Sequence, residues 1–217
     1  MLNDLLEHGV KCHANSNLSD FLTDDDRSLI EARVRTSVES LLDALLIDTD
    51  NDPNTQDTAK RVAKMLVQEV FKGRYDPPPT ITDFPNTDKL DQIYTVGPIT
   101  VRSACSHHLV PILGQAWIGV IPGDRIIGLS KFNRLTEWVM ARPQIQEEAT
   151  QQLADEIEQR IYPQALAVVI KAEHMCMTWR GVRETSTSMI TSVLRGAFRD
   201  DYKARQEFFS IIRGQGF

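Results

Sequence analysis

The stretch Ala167-Val168-Val169-Ile170-Lys171-Ala172-Glu173-His174-Met175-Cys176-Met177 opens on a β-branched run and closes on a histidine and a cysteine two residues apart. Valine and isoleucine have restricted side-chain rotamers that suit a pleated surface, so a strand is predicted from about 166 to 177. Residues two apart on a strand face the same side, which places His174 and Cys176 on one face. A second apparent strand, Ile99-Thr100-Val101-Arg102-Ser103-Ala104, runs directly into Cys105-Ser106-His107-His108. The two blocks together hold two of the three cysteines and three of the five histidines in the chain.

Thiolate and imidazole are the ligands zinc prefers, and two cysteines with one histidine leave a tetrahedral position open to water. Cys105 and His108 lie three apart on a turn that can fold both onto one ion. If they hold the metal with Cys176, then His107 and His174 remain beside it, where an imidazole that titrates near neutral pH can carry protons. A closed structural site, with His107 or His174 as fourth ligand, uses the same residues, and spacing alone leaves both arrangements open. Cys12-His13, near the terminus, reads as incidental.

Residues 1–25 are polar and acidic and read as a weakly ordered tail, with Thr23-Asp24-Asp25-Asp26 as a helix start. A helical region follows over 26–85: Ile30, Val34, Val38, Leu41 and Leu45 recur at helical spacing, and a second helix is expected from Thr58 to Lys72, with Gly73 as its stop. Pro77-Pro78-Pro79 and Pro85 form an extended link. Over 86–217, strands are expected near 92–104, 114–121, 166–177 and 186–195, with helices near 131–141, 145–161 and 200–212. That order predicts an α+β unit in which helices pack on one face of an antiparallel four-stranded sheet. A net charge of −6 argues against a nucleic-acid surface. No apolar run approaches membrane-spanning length, and the N-terminus lacks the basic start and apolar core of a signal peptide, so a cytoplasmic protein without a disulfide framework is expected.

Four motifs in order carry a resemblance to a known family. They are Cys105-Ser106-His107-His108-Leu109-Val110-Pro111, Gly128-Leu129-Ser130-Lys131-Phe132-Asn133-Arg134, Arg142-Pro143-Gln144-Ile145-Gln146-Glu147, and Glu173 through Arg183 (EHMCMTWRGVR). From about Thr58 to the last helix the chain resembles GTP cyclohydrolase I. The resemblance implies the tunnelling fold, a homodecamer of two pentamers with active sites between subunits, and conversion of GTP and water to formate and 7,8-dihydroneopterin triphosphate. It implies zinc on Cys105, His108 and Cys176, with His174 protonating the purine as the imidazole ring opens and His107 moving protons in hydrolysis or sugar rearrangement. For the substrate it implies Glu147 on guanine, Gln146 near the base, Arg61, Lys131, Arg134 and Arg180 on the triphosphate, and Ser130 near the ribose or phosphates.

Three positions depart from the family pattern: Ser106 where glutamate is common, Thr58-Ala59-Lys60-Arg61 in place of a motif with proline at the first helical turn, and Trp179 in place of a smaller or unbranched residue. Two other functions stay in view, the first of them because of Ser106 and Trp179. One is a tunnelling-fold relative acting on another purine or pterin, and the other is a non-catalytic assembly stabilised by zinc.

Overall fold

The computed structural model describes residues 1–217, which divide into two compact units, Met1–Pro77 and Pro78–Phe217. In the first unit, α1 (Leu2–Glu7) precedes α2 (Asp24–Ala44) and α3 (Thr58–Lys64). Thr23 caps α2: its hydroxyl accepts from the Asp26 amide while the Asp26 carboxylate accepts from the Thr23 amide, and three aspartates in the first turn complement the helix dipole. The expected apolar face of α2 is rotated. Val34, Val38 and Leu42 pack on Ala59 and Val62, whereas Leu41 and Leu45 are exposed. Beyond α3 the chain widens into a π-helical stretch, Met65–Val70, before a tight turn at Lys72–Arg74. Ala63 and Val67, four residues apart, are buried here, while Met65 and Val70 are exposed. The Asn17 side-chain amide donates to the Gly73 and Asp76 carbonyls, tying the start of the chain to the end of this unit.

The second unit is built on β2 (Tyr94–Cys105), β3 (Pro111–Ile121), β6 (Ala165–His174) and β7 (Met189–Gly196), antiparallel and adjacent in that order. A two-residue strand, β5 (Pro143–Gln144), adds to the end of β2 in parallel, opposite Ala104 and Cys105. The short strands β1 (Asp83–Pro85) and β4 (Arg125–Ile127) pair separately, held also by an Arg125–Asp83 ion pair. Between the sheet strands run α4 (Leu129–Met140), α5 (Gln146–Ile161) and the single turn α6 (Met175–Thr178), and the chain closes with α7 (Ala197–Asp200) and α8 (Tyr202–Gly214).

Alternation along the strands sorts two cores. Leu166, Val168, Ile170 and Ala172 of β6, with Ile112, Ala116, Ile118 and Val120 of β3, meet Phe132, Leu135 and Val139 of α4 and Leu153 and Ile157 of α5. This is the helix-covered face that the element order predicts. The intervening residues Trp117, Ala165, Ala167 and Val169 point to the other face, where Phe198, Phe208 and Ile212 cover them. The C-terminal helix therefore gives the sheet a second, smaller core, a layer that sequence order alone did not place.

That second layer is fitted closely at Gly119, where an added methyl carbon would lie 2.5 Å from a ring carbon of Phe208. Gly119→Ala is expected to lower stability by about 1–3 kcal/mol through overpacking. Gly214→Ala, with open space around it, should leave stability unchanged or slightly raised. Thermal unfolding of the two variants checks this, and equal melting temperatures would contradict the close fit of α8.

Candidate active site

Two connections leave one end of the sheet close together. The β2–β3 loop is cinched at its base, where the Cys105 amide donates to Val110 (2.9 Å) and the Leu109 amide donates to Cys105 (2.8 Å). Leu109 takes a left-handed conformation, φ 56°, to close this turn. The Ser106 amide donates to the Gln144 carbonyl at 3.1 Å, so β5 supports the loop from the side. The second connection follows β6. The strand stops at His174, and Cys176 lies on α6 rather than on a continued strand, so the expected shared strand face of His174 and Cys176 does not exist. The helical turn redirects the chain immediately after His174.

The redirection brings the thiols of Cys105 and Cys176 and a ring nitrogen of His108 within 4.8 Å of one another. Cys105 Sγ also lies 3.5 Å from His107 Nδ1 and 3.9 Å from His108 Nδ1. Burial, and after it the neighbouring Cys105, push the Cys176 thiol up. Two adjacent thiols resist joint ionisation unless a cation sits among them. This soft S,S,N donor set fits a zinc-class ion, with the three groups as its protein ligands. Arg180 reaches the same cluster, its Nη1 2.8 Å from His108 Nε2.

His174 stands beside this group, half-buried, with Nε2 2.9 Å from Gln146 Oε1. Burial lowers its pKa, and the negative charge of Glu147 partly offsets that, which leaves a neutral ring at neutral pH. Glu147 itself is exposed in the first turn of α5. Gln146, expected near the base, is 3% exposed, and both ends of its side-chain amide are engaged with the protein.

The remaining candidates lie on other elements. Ser130, Lys131 and Arg134 occupy the first turns of α4, with Ser130 and Arg134 exposed and the Lys131 ammonium donating to the Thr80 carbonyl at 3.2 Å. Arg61 is exposed on α3, in the first unit. The structure thus gathers Cys105, His107, His108, Cys176 and Arg180, with His174 bonded to Gln146 next to them. Sequence reasoning passed over Gln144, Thr150 and Thr191, which hold the site from behind. The Gln144-x-Gln146 pair with Thr150 one helical turn on was visible in the sequence, but nothing local marked Thr191 as their partner.

No helix is long and apolar enough to cross a membrane. Residues 34–213 match the family described as GTP cyclohydrolase I. The chain is 39% identical over 190 residues to a protein of Corynebacterium glutamicum (strain R) named GTP cyclohydrolase 1, covering 87% of this chain and 96% of the relative. Proteins of the same name from Flavobacterium johnsoniae and Yersinia enterocolitica are 36% identical over 216 residues and 37% identical over 192 residues. They cover 97% and 88% of this chain, and 96% and 87% of their own lengths. Among solved structures, apo archaeosine synthase QueF-Like overlaps 55% of this chain and 97% of its own, with a TM-score of 0.38 and 12% identity, a likeness too slight to bear on the fold. With its sheet, its paired helices and its Cys-His-Cys cluster all lying inside the matched span, the chain belongs to the GTP cyclohydrolase I family, a tunnelling-fold family.

Proposed function

We propose that the chain converts GTP and water to formate and 7,8-dihydroneopterin triphosphate, with zinc held by Cys105, His108 and Cys176. The observation that carries this reading is the convergence of those three donors within 4.8 Å, with His107 and Arg180 in contact with the cluster. Zinc, when bound there, supplies Lewis-acid activation of water at neutral pH. His174, kept neutral by burial, takes or gives a proton at the purine as the imidazole ring opens, and His107 moves protons in the later hydrolysis and rearrangement. Glu147 accepts from the guanine N1–H and exocyclic amine, two parallel donors that suit one carboxylate. Arg61, Lys131, Arg134 and Arg180, with Ser130, hold the triphosphate and ribose.

These cations sit on α3, α4 and the loop after α6. We take the working site to form between neighbouring subunits of a homo-oligomer, a decamer of two pentamers. Its supporting feature is the open sheet: β7 is one edge, and β5 covers β2 only at Ala104 and Cys105. All three cysteines are free, as suits a reducing cytoplasm.

Purified protein of known zinc content, incubated with GTP, is expected to release formate and to yield a pterin that fluoresces after oxidation. Cys176→Ser should lose both zinc and turnover. Bound zinc in the wild type with no formate from GTP would overturn the reading. A second experiment separates proton transfer from metal binding. His174→Ala and His107→Ala are each expected to retain zinc while kcat falls by about 10²–10⁴-fold. Loss of zinc in either variant would make that histidine a ligand and the site a closed structural one.

A further inference from the structure

The hydrogen bonds around Gln146 have only one consistent direction. Its Nε2 lies 3.1 Å from the Ile170 carbonyl, 3.2 Å from the Met189 carbonyl and 3.0 Å from Thr191 Oγ1. Two of these partners can only accept, so this end of the side chain is the NH2 group and the opposite end is the oxygen. The hydroxyl of Thr150 is 2.7 Å from the Gln146 main-chain carbonyl and 2.7 Å from Thr191 Oγ1. Its single hydrogen goes to the carbonyl, so Thr191 donates to Thr150 and in turn accepts from Gln146. A closed ring results, running from the Gln146 amide through Thr191 and Thr150 back to the Gln146 backbone, between α5 and the β6–β7 pair, with Gln146 and Thr150 buried and Thr191 half-buried.

One group of Gln146 remains, the oxygen Oε1, 2.9 Å from His174 Nε2. An oxygen that cannot rotate away and cannot donate requires a hydrogen on the nitrogen facing it. We propose that Gln146 is a positioning residue that fixes His174 as the Nε2–H tautomer in a single ring orientation, leaving Nδ1 as the nitrogen with a lone pair. His174 is the last residue of β6, and Gln146 bonds to carbonyls of β6 and of the first residue of β7, so the imidazole is indexed to the sheet. The geometry gives Gln146 a different task from touching the purine: its NH2 group and its oxygen are both engaged inside the protein. The benefit for catalysis rests on the proposed role of His174, whereas the tautomer does not.

The test is magic-angle-spinning NMR of the zinc-loaded, full-length protein labelled with ¹⁵N-histidine, at neutral pH, with His174→Asn to assign the signal. Wild type is expected to show His174 wholly as the Nε2–H form. In Gln146→Met, which keeps length but removes both the carboxamide oxygen and the NH2 group, the signal should divide between the two tautomers. Zinc content should be unchanged, KM for GTP should move less than about twofold, and kcat should fall by about 10–100-fold, the scale of a misoriented catalytic group. If Gln146→Met does not fold, Thr191→Val decides, since it loosens the grip on the NH2 end without touching His174; a mixed tautomer there supports the proposal and an unchanged one overturns it. A wild-type Nδ1–H form, an undivided signal in Gln146→Met, or a loss confined to KM would also overturn it. A fixed Nε2–H form in a protein that leaves GTP intact would uphold the positioning and reject the proposed reaction.

Discussion

The pairing of β3 with β6 is the constraint on which the rest depends. Its register sets Ile112 opposite His174 at one end and Ile121 opposite Ala165 at the other. Because side chains alternate, that register decides which residues of β6 enter the core beneath α4 and α5 and which meet α8. The ladder also sets where the chain leaves the sheet: the Cys105 loop enters β3 at the same end at which β6 gives way to α6. A slip by one residue would exchange both cores and turn His174 to the opposite face. Close approach enforces the register. At Gly114 an added methyl carbon would meet the Lys171 carbonyl at 2.2 Å, so this point on β3 admits no side chain.

From that ladder the site follows with few added parts. A tight loop holds Cys105 and His108, a single helical turn holds Cys176, and burial keeps the His174 ring neutral. Each arm is short and stiff, with its backbone hydrogen bonds satisfied within a few residues of the donor atom. Such stiffness suits a metal-class site, where donor placement has to be set by the protein before the ligand arrives.

Much of this was legible in the sequence. The β-branched run Ala167–Ile170, the turn between two strands at Cys105 and the order of helices and strands all follow from local chemistry, and Cys105, His108 and Cys176, which the structure brings together, were identifiable by residue type. What stayed hidden depends on contacts distant in the chain. Cys176 reads as a strand residue because nothing in Glu173-His174-Met175-Cys176 announces a helical turn. Leu41 and Leu45 read as core because their spacing matches, yet the packing of α2 on Ala59 and Val62 selects Leu42 instead. Phe198 and Phe208 do not by themselves reveal that they cover the second face of the sheet. The use of Gln146 was hidden for the same reason, since its partners Ile170, Met189 and Thr191 lie 24, 43 and 45 residues away.

The short parallel strand β5 has a mechanical consequence. Within three residues, Gln144 receives the amide of Ser106, and so braces the loop carrying Cys105 and His108, while Gln146 receives the ring of His174. Two arms that emerge from different strands are thus aligned by one splint, itself clamped where Ser103 donates to the Arg142 carbonyl and the Gln144 amide donates to Val139. The distance between the Cys105–His108 loop and the His174 imidazole is therefore measured in residues of this connector. Its length is as much a part of the candidate site as any side chain in it: adding or removing one residue between Arg142 and Glu147 would disturb the alignment of the two arms, with every side chain of the cluster still present.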